Sequence, residues 1–280
     1  TLNLNLGFAA NTVITFDDRL DAGNDSYVFQ PDLTFYKSDG VTGISTPLIT
    51  AGGIFGNGTQ TLLANNGNNT IACNTIVQNL QIFANGGNDR VDVSRGIVTV
   101  DTGTETGSNP AVGDTVVVNF DHFIANDLPA TVRLAASDRV ATLAVEPRGT
   151  LQIPTGAALD VSGYLESTGV IDLAGGSLLK RAAATGPTLA QLRTAIISGR
   201  NGGAWNGTVG GAINSSLAAA SLVSDGVGYG LGSQIGLTTI GGFAIAAGDT
   251  LIRHTLNGDA NLNQQVNLDD FTALASSFGA

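Results

Sequence analysis

Between residues 131 and 180 the chain alternates short apolar runs with turn residues: Val132-Arg133-Leu134, Ala141-Thr142-Leu143-Ala144-Val145, Thr150-Leu151-Gln152-Ile153, Ala158-Leu159-Asp160-Val161, Gly169-Val170-Ile171-Asp172-Leu173 and Ser177-Leu178-Leu179. Breaks about every eight to ten residues, with alternation inside each run, predict short strands joined by tight turns. Gly149, Gly156, Gly163, Gly169 and Gly176 punctuate the runs.

Earlier in the chain a turn signal repeats. Gly23-Asn24-Asp25, Gly67-Asn68-Asn69 and Gly87-Asn88-Asp89 each lead after one residue into an apolar strand start, and Gly113-Asp114 is a shortened copy. The spacing, about twenty residues or a little more, suits one coil of a solenoid. The expected fold is therefore mainly β, a right-handed parallel β-helix, with a β-sandwich as the alternative. Gly86-Gly87-Asn88-Asp89-Arg90-Val91-Asp92 also resembles part of the calcium-binding nonapeptide of RTX proteins, but its copies are isolated and turn chemistry accounts for them.

At Pro187 the period changes. Leu189, Leu192 and Ile196 recur at helical spacing, with Pro187 as start signal and Gly199 as stop, which predicts one helix over 188–198 capping the solenoid's end. A Gly-rich stretch with the only Trp, Trp205, read as a structural plug, leads to the strand-like Phe243-Ala244-Ile245 and Thr250 to Leu256. The expected organisation is a β-solenoid body over 1–186, a cap helix and Gly-rich β segment over 187–257, and a calcium loop and helix over 258–280. The alternating start Thr1-Leu2-Asn3-Leu4-Asn5-Leu6-Gly7 is expected to form a strand able to pair with another subunit's sheet edge.

The last segment carries the chemistry. Asp259, Asn261, Asn263, Asn267 and Asp270 stand at positions 1, 3, 5, 9 and 12 of a loop whose position 7, Gln265, offers its backbone carbonyl. A hard cation such as Ca²⁺ needs about six to eight oxygens, and this spacing wraps them round one point. Val266 is expected to point away from the ion, and Phe271, Leu274 and Phe278 then recur at helical spacing. Position 6, usually Gly for a sharp turn, is Gln264, which needs a positive φ.

Composition narrows the functional classes. The 280 residues are 42% hydrophobic and 12% charged with a net charge of −11, a balance that supports a sizeable core and disfavours nucleic acid and anionic membrane surfaces as partners. Only Glu105, Glu146 and Glu166 are Glu and the other acids are Asp, which with 38 Gly favours turns over helix. Cys73, the one cysteine, is expected to be a buried small hydrophobe. With no Met and no signal or membrane-spanning segment, the sequence reads as a mature or truncated piece of a longer precursor.

Two resemblances follow from these residues. Asn at position 9, Asp at position 12 and the absence of an entering helix resemble the type I dockerin repeat, whose loop-helix is an F-hand. The order of helix, Ser-Gly-x-Asn-Gly-Gly-x-Trp-Asn-Gly, Leu-Ile-Arg-x-Thr and Gly-Asp-Ala-Asn-Leu-Asn is similar to the C-terminal region of planctomycete-type secreted β-solenoid proteins with a dockerin-like tail. That resemblance implies a secreted or cell-surface protein, self-associating into fibres or a surface layer, with docking to a cohesin-like partner as the alternative and no direct membrane insertion.

Enzyme signatures are sparse. His122 and His254 lack metal spacing, and no nucleophile elbow, phosphate loop or dinucleotide fingerprint occurs. A carbohydrate-active β-helix enzyme would have to draw on Asp89, Asp92 and Arg90 or Arg95, or on Asp17, Asp18 and Asp21 near Arg19, read instead as solvated turn carboxylates. The expectation is a protein without catalytic residues.

Overall fold

The computed structural model describes residues 14–21, 23–30, 34–39, 45–50, 59–74, 79–103, 113–119, 129–221 and 224–276. Thr1 to Gly7, His122 and Phe278 lie outside them. The chain is mainly β, with a large mixed sheet and few helices.

Parallel pairing dominates and runs in two stacks. One takes β1 (Ile14–Asp17), β5 (Gln60–Leu63), β7 (Leu80–Phe83), the second half of β8 (Arg90–Asp101), β10 (Ala130–Leu134), β12 (Gly149–Gln152), β14 (Val170–Asp172) and β16 (Ile213–Asn214). The other takes β2 (Asp25–Phe29), β6 (Thr70–Asn74), the first half of β8, β9 (Thr115–Val118), β11 (Asp138–Val145), β13 (Ala158–Ser167) and β15 (Ser177–Lys180). All the predicted runs between 131 and 180 fall in or directly beside these strands.

Because each residue sits over its counterpart in the next strand, like packs on like. Leu80, Val98, Val132, Leu151, Ile171 and Ile213 form one buried aliphatic column. Tyr27, Ile71, Val91, Val116, Leu143 and Leu165 form another in the second stack, and both belong to one core. Cys73 lies fully buried between Phe29 and Val93, and burial pushes its thiol pKa up.

The turn repeat forms a second kind of column. Asn68 N–H donates to Asn24 Oδ1 and Asn88 N–H to Asn68 Oδ1, both at 2.8 Å. One residue on, Asp25 N–H donates to Asn69 Oδ1 at 3.1 Å, while Asn69 N–H reaches Asp89 Oδ1 and Asp89 N–H reaches Asp114 Oδ1, each at 2.7 Å. Side-chain oxygens thus satisfy the backbone donors that the turn leaves over. The preceding glycines stack so closely that a Cβ on Gly67 would lie 1.6 Å from the carbonyl oxygen of Gly23.

Antiparallel strands begin and finish the second stack. β3 (Thr34–Asp39) and β4 (Ser45–Thr50) extend β2 as a meander. At the other end β20 (Thr250–Leu256) pairs antiparallel with β15, and β17 (Asp225–Leu231) with β20. A small hairpin, β18 (Thr239–Ile240) and β19 (Phe243–Ala244), precedes β20.

Helix α1 (Leu189–Arg200) lies against β16, burying Leu192 and Ile196. Its signals differ from the expected ones. Thr188, not Pro187, begins it, in a capping box with Gln191, and it runs through Gly199 to a left-handed Asn201 at φ +42°. Gly199 serves packing, since a Cβ there would lie 1.9 Å from the carbonyl oxygen of Ile213. Two more helices follow, α2 (Ser216–Ser221) and α3 (Leu268–Ser276).

The glycine stack has a measurable consequence. Gly67→Ala is expected to cost about 2–3 kcal/mol by forcing a Cβ into the backbone beneath it. Gly23→Ala, with nothing within 4 Å of its Cβ, is expected to stay within about 0.5 kcal/mol of wild type. Urea denaturation of the two variants checks this, and equal losses would refute the stacking account.

Candidate metal centre

The C-terminal loop between β20 and α3 is built from Asx side chains folded inward. Asp259 Oδ1 and Asn261 Oδ1 both accept from Asn263 N–H, at 3.0 and 3.1 Å, which brings positions 1, 3 and 5 to one place. Asn263 Oδ1 in turn accepts from Gln265 N–H at 2.7 Å. Gln264 adopts φ +66° and donates its N–H to Asp259 Oδ2 at 2.7 Å, so the sharp turn is made without glycine.

Asp270 closes the loop from the first turn of α3. Its Oδ1 accepts from Ala260 N–H and Asn261 N–H at 2.9 and 3.2 Å, and its Oδ2 from Asn267 N–H at 2.8 Å. The N–H of Asn267, followed by the other two, holds this carboxyl below the usual carboxylate range. Thr255 Oγ donates to Asp259 Oδ2.

Both carboxylates are buried and accept from backbone N–H groups and one hydroxyl, and the charge of Arg253 also acts on Asp259. This all-oxygen donor set fits a hard divalent cation. The side chains of Asp259 and Asn261 meet at the Asn263 N–H, and Asp270 joins them through the N–H groups of Ala260 and Asn261. Asn267 instead turns its oxygen to Asp269 N–H at 2.8 Å, capping α3, and Gln265 contributes an N–H to the loop's own bonding.

The helix packs less than its spacing implies. Phe271 is 66% exposed and Leu274 53%, while Val266 and Leu268 are also exposed, so the apolar positions of α3 form an outward stripe. Asp270 is its buried residue.

A second cluster lies at the other end. Among the described residues, Asp18, Asp21 and Asp25 place carboxylate oxygens within 4.8 Å of one another, a grouping able to hold a metal ion. The Lys37 ammonium stands among them, 2.6, 2.5 and 3.3 Å from the three carboxylates. Burial works against its charge, but the carboxylates outweigh burial and push its pKa up.

Tyr27 donates its hydroxyl to Asp18 at 2.5 Å, and Asn65 donates to Asp25 at 2.6 Å. Sequence reasoning grouped Asp17, Asp18 and Asp21 round Arg19, whereas Arg19 pairs with Asp17 at 2.6 Å and the lysine arrives from β3. Local sequence carries no signal for this arrangement, because Lys37 reaches the cluster only when β3 folds back along β2.

The remaining candidates are dispersed. Asp89 is spent in the turn ladder, while Asp92 pairs with Arg90 at 2.8 Å. His254 Nε2 lies 3.3 Å from Asp225 Oδ2, and Trp205 is buried beside Gly226. The chain matches no protein-family model, no curated protein and no solved structure.

Two buried acids, Asp89 in the ladder and Asp138 beside Thr102, make stability depend on pH. Burial, with the neighbouring Asp114 charge adding to it, pushes Asp89 up to about 7, and burial does the same to Asp138. Between the ordinary value of 3.8 and about 7, the folded chain keeps a proton that the unfolded chain releases. Stability arising from these groups therefore falls as pH rises through that window. Asp89→Asn is expected to shrink the fall in melting temperature between pH 4.5 and 7.5, and an unchanged fall would exclude Asp89 as a source.

Proposed function

We propose that this chain is a secreted bacterial structural or adhesive protein: a right-handed parallel β-solenoid that assembles into extracellular fibres or a surface layer and ends in a calcium-stabilised, dockerin-like loop-helix. The observation that carries the calcium part is the loop of Asp259, Asn261, Asn263 and Asp270, in which the Asp259 and Asn261 oxygens meet at the Asn263 N–H and two buried carboxylates close the turn. The residues that would hold Ca²⁺ are these four, with Asn267 and the carbonyl of Gln265 completing the set. Bound there, the ion would supply charge neutralisation and cross-linking of the loop, not chemistry.

Two in-register parallel stacks with rungs about twenty residues apart support a solenoid over an antiparallel sandwich. A long parallel stack with glycine and asparagine columns is a stiff element whose backbone is paired from strand to strand, which suits a stalk. The candidate catalytic carboxylates, tied into the ladder or paired with Arg90, Arg19 or Lys37, support a role without catalysis.

A second reading has its own observation. The exposed stripe of Leu268, Phe271 and Leu274 on α3, with Val266 exposed in the loop before it, favours docking of a cohesin-like partner at the tail.

Calorimetric titration of the full chain with CaCl₂ tests the proposal. Saturable binding of one Ca²⁺, a raised melting temperature, and loss of both in Asp270→Ala are the expected results. A flat titration with an intact fold removes the calcium terminus from the proposal. For the docking reading, Phe271→Ser is expected to abolish Ca²⁺-dependent capture of a partner while leaving Ca²⁺ binding intact.

A further inference from the structure

Arg253 of β20 is a buried cation with few partners. It is 9% exposed, its Nε is buried without a hydrogen-bond partner, and among the described residues it makes no direct ion pair. Its neighbours across the sheet, Ser177 on β15 and Gly228 on β17, carry no charge. A guanidinium taken out of water needs compensation: burial pulls its pKa down, and the charge of Asp259 opposes that pull.

One peptide group joins the two charges. Arg253 Nη1 donates to the Leu262 carbonyl at 2.7 Å. The N–H of that same peptide, which belongs to Asn263, donates to Asp259 Oδ1 at 3.0 Å. A trans peptide points its oxygen and its hydrogen in opposite directions, so this dipole lies with its oxygen toward the cation and its hydrogen toward the anion. Thr255, two residues along β20 and therefore on the same face as Arg253, donates to Asp259 Oδ2.

The strand fixes the arginine in this place. β20 is paired on both sides, by β15 and β17, so its backbone cannot shift to withdraw the side chain. Directly opposite Arg253, Gly228 leaves room for the loop to descend, since a Cβ there would lie 2.4 Å from Leu262 Cδ2. Leu262 is buried and left-handed at φ +59°, which turns its carbonyl onto the guanidinium.

We propose that Arg253 is the resident cation of the C-terminal loop: it holds the loop closed through the Leu262–Asn263 peptide when no metal is bound, and its charge lowers the loop's affinity for Ca²⁺. The second half rests on the calcium reading above, whereas the first does not. Ca²⁺ then meets a loop already ordered, and it has to share Asp259 with a guanidinium that stays where β20 puts it.

The test compares the full chain with Arg253→Gln, which keeps an amide donor but loses the charge, with Arg253→Lys, which keeps the charge, and with a double variant combining Arg253→Gln and Asp259→Asn. In EDTA, Arg253→Gln is expected to melt below wild type, and the double variant to recover part of that loss, because no buried charge is left alone. Titrated with CaCl₂, Arg253→Gln is expected to bind about tenfold more tightly than wild type, and Arg253→Lys within about twofold of it. A double variant that melts no higher than Arg253→Gln, or that stays unfolded when Arg253→Gln does, overturns the role in the metal-free loop. A folded Arg253→Gln with unchanged or weaker Ca²⁺ binding overturns the effect on affinity. Should neither wild type nor Arg253→Gln bind Ca²⁺, the calcium reading falls together with the effect on affinity, and the comparison in EDTA decides the role in the metal-free loop by itself.

Discussion

Everything in this molecule depends on in-register parallel stacking. Strands lie about 4.8 Å apart in the hydrogen-bonding direction, so each position of a coil is placed directly over the same position of the next. That geometry turns one-dimensional repetition in the sequence into columns in space. An apolar position becomes the column from Leu80 to Ile213, and an Asn position becomes the ladder from Asn24 to Asn88. A Gly position becomes a seam that leaves no room for a methyl group at Gly67 and Gly87. The same constraint makes charge awkward, because an acid recurring in a column meets its own kind: Asp89 lies beneath Asp114, while the neutral Asn69 separates Asp89 from Asp25.

A stack of this kind has no natural end, since its last strand offers the edge that the next coil would use. The structure closes the two stacks differently. β16, the last rung of the first, is covered by α1, whose Gly199 allows helix and strand backbones into contact. β15, the last rung of the second, is met by β20 running the opposite way. An ionic junction fixes that reversal: buried Asp160 accepts from Arg139 at 2.7 Å and Arg181 at 2.6 Å, and Arg181 continues to Asp249 at 2.8 Å, just before β20. Removing one member would strand a buried charge, so the junction specifies where the return strand docks more than it adds stability.

Sequence reading reached what depends on local chemistry. The Gly-Asn-Asp turns were legible because turn residues state their own conformation, and so was the positive φ at Gln264, because a loop of closely spaced Asx residues has to turn sharply there. Strand runs from 132 to 179 were legible by alternation. Long-range pairing was not. Nothing near Asp18 announces that Lys37 will enter its cluster, since that depends on β3 folding back along β2. α2 was missed because its Ser-Leu-Ala-Ala-Ala-Ser has too few apolar positions for a period, and its cap from Ser215 Oγ to Ala218 N–H is visible only in three dimensions. The end of α1 was misplaced because Gly199 reads as a stop signal, whereas tertiary contact with Ile213 decides its role.

The C-terminal loop is anchored to the strands it follows. Leu262, left-handed at φ +59° and buried, packs on Gly228 of β17, where a Cβ would sit 2.4 Å from its Cδ2. Its carbonyl accepts from Arg253 Nη1 at 2.7 Å, and the carbonyl of Asn261 accepts from Gly236 N–H at 3.0 Å. Leu262 also completes a small apolar cluster with Leu179 and Leu251. The alternate glycines of β17, Gly226, Gly228 and Gly230, thereby acquire a reason: they keep that face of the edge pair low enough for Trp205, Leu262 and Ile235 to lie on it. A loop attached this way transmits whatever orders it to β17 and β20, the strands that end the second stack. Ordering of the loop therefore bears on the strands that end the second stack, while α3 leaves its apolar positions exposed at the surface.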